Sequence, residues 1–318
     1  MAKGYNARRE GDWAIKESGG VLCQRQPIRY AWIREQEAFY PKAVMFRALQ
    51  VSAGGYYAWL ERKPSKQQRR RTDITESVKQ FHTRSRKIYG YRKVHEDIID
   101  ETKHVCSAEL VRRIMRTNGL RSKVKKSFVV TTDSAHAYVV APNRLERDFS
   151  AEEQNRKWVG DITYIRTLEG WLYLCIVQDL YSRKIVGWSM SDNIDSALVS
   201  SAFKMALQQR RPMPGLIFHS DRGVQYAADA YQDLLRRNRA LCSMSRKGDC
   251  WDNACAENFF SKLKGEHIQD WVYATRDEAR REVFWYIEVF YNRSRRHAAL
   301  GYVSPVAFEN QATGKKAA

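Results

Sequence analysis

The run Trp158-Val-Gly-Asp-Ile-Thr-Tyr-Ile-Arg166, then Thr167-Leu-Glu-Gly170, then Trp171-Leu-Tyr-Leu-Cys-Ile-Val-Gln-Asp-Leu180, decides the fold. Both flanking runs are rich in β-branched and aromatic residues, and the glycine-ended tetrapeptide between them is a hairpin signal. Two antiparallel strands are expected over 157–166 and 171–180, with Arg166 opposite Trp171. Working outward, 183–190 reads as a third strand. Beyond it the apolar period changes. Residues 197–210 read as a helix with Ala202, Met205 and Ala206 on its inner face. A fourth strand (215–219), a helix (227–236), a fifth strand (240–244) and a helix over 253–264 follow. Three antiparallel strands and then alternating strands and helices define the α/β class, with a mixed five-stranded sheet.

Three acids fall where that layout can bring them to one point. Asp161 sits inside the first strand, where Asp has poor propensity and, if buried, needs a cation or several donors. Asp221 ends the fourth strand, Leu216-Ile-Phe-His-Ser-Asp221, just before Arg222-Gly223; strand ends are where α/β sheets place ligands. Glu257 lies early in the last helix. Hard divalent ions such as Mg²⁺ take oxygen ligands and leave positions open for substrate phosphates. A pair of them clamps the attacking and leaving oxygens of a phosphodiester. Asp161, Asp221 and Glu257 are therefore the expected catalytic residues and the expected metal ligands. Taken singly, each has a plainer reading: a hydrogen-bonded structural Asp, a turn residue and a helix-surface Glu.

The charge points to the substrate. The 318 residues carry a net +19, unevenly spread. Residues 1–150 hold 31 Lys/Arg against 16 Asp/Glu, and residues 151–318 hold 24 against 20. The basic half reads as the polyanion-binding half, acting by counterion release. The nearly balanced half reads as a folded catalytic body. A generally basic soluble surface is the plainer alternative, and the asymmetry argues against it.

In the basic half, residues 1–28 have little apolar content, and 1–40 is expected to be poorly ordered. Residues 41–62 read as two short helices around a tight turn, with Val44, Met45, Ala48 and Leu49 on one face and Ser52 capping the second. Lys63-Pro-Ser-Lys-Gln-Gln-Arg-Arg-Arg-Thr72 reads as a linker or an arm along phosphates. Three helices follow, one over 74–82, one opened by Tyr89-Gly-Tyr-Arg-Lys-Val94, and one capped by Ser107 and stopped by Gly119. In the last, Leu110, Val111, Ile114 and Met115 share a face, and Arg112, Arg113 and Arg116 fall off it. Such a helix can lie in a major groove; an ordinary solvated charged face is the alternative. Arg121, Lys123, Lys125 and Lys126 extend the basic run. The expected DNA-binding set is Arg92, Lys93, Arg112, Arg113, Arg116, Arg121 and Lys123, joined by Ser261 and Lys264 near the acids.

Lys264 and Ser261 follow Glu257 by seven and four residues, on one helical face, with Phe260 and Leu263 turned to the core. This stripe suits a phosphate backbone; a solvated lysine is the alternative. Asp252 or Asn253 is expected to cap that helix. Asp179 lies three residues along the ladder from Asp161, roughly 10 Å away and on the opposite face. It is expected to be structural, held by Arg183 or Ser182. His219 is expected to fill the strand end rather than touch DNA. His82, His95, His104 and Cys106 fit no familiar zinc spacing, and Cys250 and Cys255 lack histidine partners. The six cysteines form no C-x-x-C pair and read as reduced, mostly buried thiols of a cytosolic protein. Residues 1–20 are too polar for a signal peptide, and no apolar run is long enough to span a membrane.

With 35 residues between the last two acids, the trio resembles the D-D-E signature of the retroviral-integrase-like superfamily. The element order resembles the ribonuclease H-like fold. Several phrases narrow the resemblance: Asp161-Ile-Thr-Tyr164, Asp179-Leu-Tyr-Ser-Arg183, His219-Ser-Asp-Arg-Gly223 with Gln225-Tyr226, Ser245-Arg-Lys-Gly-Asp249, Asp252-Asn-Ala254 and Ala256-Glu257. Tyr291-Asn-Arg-Ser-Arg-Arg-His297, Leu300-Gly-Tyr302 and Ser304-Pro305 complete the set. Over about residues 41–308 the chain is similar to the second-frame transposases of bacterial insertion sequences in the family named after insertion sequence three. Tyr89-Gly-Tyr-Arg92 resembles the start of that family's internal helix-turn-helix.

The resemblance implies cleavage and strand transfer at the element's terminal inverted repeats, using two Mg²⁺ ions per active site with Mn²⁺ as substitute. It implies that Asp161, Asp221 and Glu257 are the metal ligands and Lys264 the basic residue that follows them. The implied partners are terminal-repeat and target DNA, a homo-oligomer of at least two chains and a first-frame partner protein. The implied location is the bacterial cytoplasm, at the nucleoid. In this family a first-frame segment with a coiled coil is often fused upstream, and residues 1–40 show no leucine heptads. The expected organisation is a poorly ordered segment (1–40), helix-turn-helix and basic linker (41–72), second helix-turn-helix (73–128), connector (129–150), catalytic domain (151–268) and C-terminal helical segment and tail (269–318). Two rivals stand beside this reading: a non-catalytic DNA-binding regulator of the same fold, and a ribonuclease H-type nuclease acting on hybrids.

Overall fold

The computed structural model describes residues 20, 21, 23–123, 140–246, 250–268 and 271–317. Residues 1–19, Lys125, Lys126 and the first part of the expected connector lie outside the described residues. The chain forms two units, the first ending at Ile74 and the second running from Thr75.

The first unit contains α1 (Gln26–Gln36), α2 (Lys42–Ala48) and α3 (Ala53–Leu60). Its core is Tyr30, Ile33, Met45, Leu49, Val51 and Tyr56. Ser52 caps α3 by accepting the Gly55 N–H at 3.0 Å, as its position predicts. Residues 26–36 overturn the expectation that 1–40 lacks order. Tyr30 and Ile33, three apart, put one face of α1 into the core despite its polar composition.

The basic stretch after Lys63 is also not a linker. It belongs to α4 (Lys66–Arg84), a 19-residue helix. Ser65 and Gln68 start it with a reciprocal capping box: Ser65 Oγ accepts the Gln68 N–H at 3.1 Å, and Gln68 Oε1 accepts the Ser65 N–H at 2.8 Å.

In the second unit, α5 (Tyr91–Glu101) and α6 (Ala108–Thr117) pack through Val94, Ile98, Val111, Ile114 and Met115. Ser107 caps α6 by accepting the Leu110 N–H at 3.2 Å. Gly119, at φ +66°, ends it while the Leu120 N–H reaches back to Met115 O.

The sheet has the order β3-β2-β1-β4-β5, from β1 (Lys157–Thr167), β2 (Gly170–Asp179), β3 (Ile185–Ser191), β4 (Ile217–Ser220) and β5 (Leu241–Met244). The β1–β2 hairpin pairs Arg166 with Trp171 and Asp161 with Ile176, the predicted register. Gly170 turns the two-residue loop at φ +106°, a conformation L side chains rarely adopt. β2 is an interior strand, buried on both faces over most of its length, which its unbroken apolar run anticipates. β4 lies parallel to β1 and to β5.

Helix α7 (Ser196–Arg210) covers the sheet, with Val199, Ala202, Phe203 and Ala206 in a core that includes Trp158, Phe218, Tyr226 and Tyr231. The helix expected over 227–236 is α9 (Asp229–Arg237), and extended Ala228 separates it from a short additional helix, α8 (Val224–Ala227). After β5 come α10 (Ala254–Leu263), α11 (Arg276–Phe284) and α12 (Pro305–Ala317), with π-helical turns at Lys264–Ile268 and Trp285–Tyr291. The C-terminal segment is latched to the sheet. Asn292 pairs with both backbone groups of Ile185, each at 2.9 Å, as a neighbouring strand would. Glu309 accepts from Ser182 at 2.7 Å.

Gly187 of β3 permits the close approach of α7. A Cβ there would stand 2.3 Å from Ala202 O and 2.7 Å from Ala206 N, both backbone atoms. Gly187→Ala is expected to destabilise the second unit by about 1–3 kcal/mol, read as a lower urea midpoint; an unchanged midpoint would show that the helix yields freely.

Candidate active site

Asp161 and Asp221 are brought together by strand register. β1 and β4 run parallel with Val159 paired to His219. Two residues further on stand Asp161, within β1, and Asp221, just past the end of β4; neighbouring strands are spaced about 4.8 Å apart. Gly160 makes the approach possible: a Cβ there would lie 2.5 Å from Phe218 Cζ. Asp221 closes the strand end by accepting the Gly223 N–H on Oδ1 at 3.0 Å. Gly223 is needed for that turn, since a Cβ would come within 3.1 Å of the same oxygen and 2.8 Å of Gln225 Oε1. Asp161 Oδ1 accepts the Ile162 N–H at 2.8 Å.

Glu257 reaches the region from α10, whose start is pinned to β1. Asn253 Nδ2 donates to Gly160 O at 3.2 Å, the carbonyl just before Asp161. Neither expected cap forms: Asn253 is turned to β1 and makes no cap bond. Asp252 is committed to Arg246 at 2.8–3.1 Å, Arg147 at 2.9 Å and Asn143 at 3.0 Å. The Arg246 bonds hold its carboxyl well below the usual range.

The three carboxylates feel one another. Asp161 is raised well above the ordinary carboxylate range, first by burial, then by Asp221, with Glu257 adding to it. Glu257 is raised by burial and by Asp221. Lys264 is half-buried, and burial lowers its pKa while Asp161 works the other way. Its ammonium lies 4.7 Å from the centre of the Tyr164 ring. That ring, in the Asp-Ile-Thr-Tyr run, is a contact the sequence did not reveal. Ser261 is exposed on α10. The helix does not continue as a regular α-helix through Lys264, where the π turn begins and carries Glu266 inward to Arg295.

The donor set at these three positions is all carboxylate oxygen, which suits a hard divalent ion. Among the described residues no group of three or more His, Cys, Asp or Glu side chains is placed to hold a metal ion. Asp221 raises the proton affinity of both Asp161 and Glu257, and Asp161 acts in turn on Lys264.

Several other candidates have structural partners. Asp179 is fully buried and accepts from the N–H groups of Asn155 (2.7 Å) and Tyr181 (2.8 Å) and from Trp158 Nε1 (3.3 Å). It is structural as expected, but neither Arg183 nor Ser182 holds it; Arg183 goes to Cys255 Sγ at 2.7 Å. His219 is buried between Ser243 Oγ (2.8 Å) and Ser245 Oγ (3.2 Å). His82 and His95 bond to the carbonyls of Arg121 and Cys106.

On α6, Arg112, Arg113 and Arg116 are exposed, and Arg112 is paired with Glu109 at 2.7 and 2.9 Å. Arg92, Arg121 and Lys123 are exposed as well. Lys93 departs from the expected basic surface: it is half-buried, with its ammonium 5.0 Å from the Tyr89 ring.

Comparison with known proteins places the sequence in a family. Family models described as an integrase core domain match residues 151–250 and 257–312, and an HTH-like domain matches 68–128. The chain is 40% identical over 286 residues to transposase InsF for insertion sequence IS3A of Escherichia coli (strain K12), covering 89% of this chain and 99% of that protein. It is 39% identical over 267 residues to a 31 kDa protein of insertion element IS600 from Shigella sonnei, covering 84% and 98%. Among solved structures, the HTLV-2 integrase catalytic core domain in complex with magnesium aligns at 16% identity and TM-score 0.40, over 50% of this chain and 99% of that one. The chain belongs to the IS3-type insertion-sequence transposases, polynucleotidyl transferases with a ribonuclease H-like integrase core behind a helix-turn-helix-like domain.

Proposed function

We propose that this transposase binds the terminal inverted repeats of its element and cuts and joins DNA strands at a divalent-metal site formed by Asp161, Asp221 and Glu257. The observation that carries the reading is that Asp221, at the end of β4, raises the proton affinity of both Asp161 on β1 and Glu257 on α10. A cation removes that repulsion. Carboxylate oxygens suit Mg²⁺, or Mn²⁺ in its place, and such ions keep positions for water and substrate phosphates. Bound as a pair, they would activate the attacking oxygen and neutralise the leaving 3′ oxygen.

The chain's own side chains supply the rest. Lys264, steadied on Tyr164, offers its ammonium to a DNA phosphate beside the acids. Ser261, exposed on the same helix, adds a hydroxyl donor. The exposed Arg112, Arg113 and Arg116 of α6, with Arg92, Arg121 and Lys123, hold the end sequence. Joining two element ends calls for at least two chains on the DNA. A first-frame protein is a further expected partner.

Asp161→Asn, Asp221→Asn and Glu257→Gln, assayed separately with Mg²⁺ on duplexes carrying the element's ends, are each expected to lose nicking at least about a hundredfold while DNA binding survives. Robust nicking by any of the three counts against the assignment. Removing a buried like charge also changes stability. In EDTA, Asp161→Asn is expected to unfold at a higher temperature than wild type, a gain of roughly 0.5–2 kcal/mol. Mg²⁺ then raises the wild-type midpoint more than that of the variant. A less stable metal-free variant would mean that Asp161 is a structural hydrogen-bonding residue.

A further inference from the structure

The far end of the β1–β2 hairpin carries an aromatic strip that leads away from the acids. Tyr164, Arg166 and Trp171 share one face of the hairpin, because Tyr164 and Arg166 are two apart on β1 and Arg166 pairs with Trp171. The Tyr164 and Trp171 rings meet edge to face, with centres 5.0 Å apart. Trp171 is still 46% exposed. Asp161, three residues before Tyr164, falls on the opposite face. Lys264 connects the two faces. Its ammonium lies 4.7 Å from the centre of the Tyr164 ring, and Asp161 acts on it electrostatically.

That connection runs round an open edge. β4 pairs with β1 only as far as Val159, and the next bridge joins Thr167 to Tyr273. Among the described residues no strand covers 160–166 on that side. The hairpin tip is braced independently of the indole. Leu168 donates its N–H to Tyr273 O at 2.9 Å, and Arg276 Nε donates to Trp171 O at 3.2 Å. Glu169, the one acid at the tip, accepts the Arg276 N–H at 2.7 Å. Among the described residues the exposed Arg166 has no hydrogen bond or ion pair. A half-open indole between two cations, at the rim of an acid site, has the make-up of a surface for single-stranded nucleic acid.

We propose that Trp171 stacks an unpaired base of the DNA strand that leaves the acid site, while Lys264 and Arg166 hold phosphates on either side of it. Trp171 is then a positioning residue for the strand end, a role that rests on the transposase reading. Its place sets the reach. Arg166, opposite Trp171, lies five residues along β1 from Asp161, roughly 17 Å at about 3.4 Å per residue. A strand of duplex DNA advances about 3.4 Å per nucleotide, so the stacked base falls within about five nucleotides of the cut. Every base has a π-face, so the strip selects for an unpaired base and not for its identity.

The test uses the full chain in EDTA, so that binding is read without cleavage, and duplexes bearing the element's ends. A single mismatch, or an abasic site in its place, is moved through the nucleotides flanking the cut. At one position the mismatch should tighten wild-type binding about tenfold, and the abasic site there should not. Trp171→Leu, which keeps apolar bulk without the ring, should lose the gain, and Trp171→Phe should keep most of it. Arg166→Gln should lower the slope of log affinity against log salt by about one. In the wild type, 5-iododeoxyuridine at the favoured position should crosslink to Trp171 on irradiation. The proposal is overturned if the abasic site binds as tightly as the mismatch, if Trp171→Leu keeps the gain, or if the crosslink falls on another residue. It is also overturned if Trp171→Leu binds these duplexes as the wild type does but lowers the sedimentation mass of the free protein, since the patch then joins two chains. Mg²⁺-dependent nicking by the wild type is measured in parallel. Nicking without the unpaired-base gain sinks this proposal alone, whereas the gain without nicking sinks the active-site reading and leaves the role of Trp171 standing.

Discussion

Electrostatic repulsion between Asp161 and Asp221 is the constraint around which the second unit is built. Parallel pairing of β1 with β4 runs up to Val159 and His219, just short of the two acids, and Asp221 acts electrostatically on Asp161. Burial and repulsion by Asp221 then raise the proton affinity of Asp161. The surroundings are arranged to keep this unfavourable pair in place. Gly160 lets Phe218 press close, Gly223 allows the Asp221 turn, and Asn253 ties α10 to the Gly160 carbonyl. Stability spent at a site in this way is typical where function needs a charged, preorganised centre.

The C-terminal segment contributes to the same end. Asn292 stands in for a strand partner at Ile185, and Arg295 buries its charge against Glu266 at the end of the helix that bears Glu257. Arg296 bonds to Asp97 at 2.6 Å and Asp100 at 2.7 Å on α5. One short stretch, Tyr291–His297, therefore joins the sheet, α10 and the helix-turn-helix-like region. Its run of polar residues marks a junction, not a solvated tail.

Local signals carried much of this fold. The hairpin register followed from the β-rich runs and their two-residue loop, and the Ser52 and Ser107 caps and the Gly119 stop followed from residue type and position. Other features were hidden by non-local partners or misleading composition. The basic run at 63–72 concealed the Ser65–Gln68 capping box, and polar residues concealed the two apolar anchors of α1. Whether β1 lies beside β4 is a question of strand order, which no local pattern answers, so the three acids could be singled out but their adjacency could not be derived from local pattern. Asp252 and Asn253 look like caps, yet long-range donors and acceptors claim both. Lys93 looks like a surface cation, and only the packing of Tyr89 against residues 294–296 takes it inward.

The central claim is that the acids hold divalent ions for strand cleavage. Counting bound Mn²⁺ by electron paramagnetic resonance, on the protein complexed with a duplex end, tests it most directly. The account predicts two ions per active site in the wild type and loss of at least one in Asp221→Asn at the same DNA occupancy. An unchanged count in that variant would contradict it.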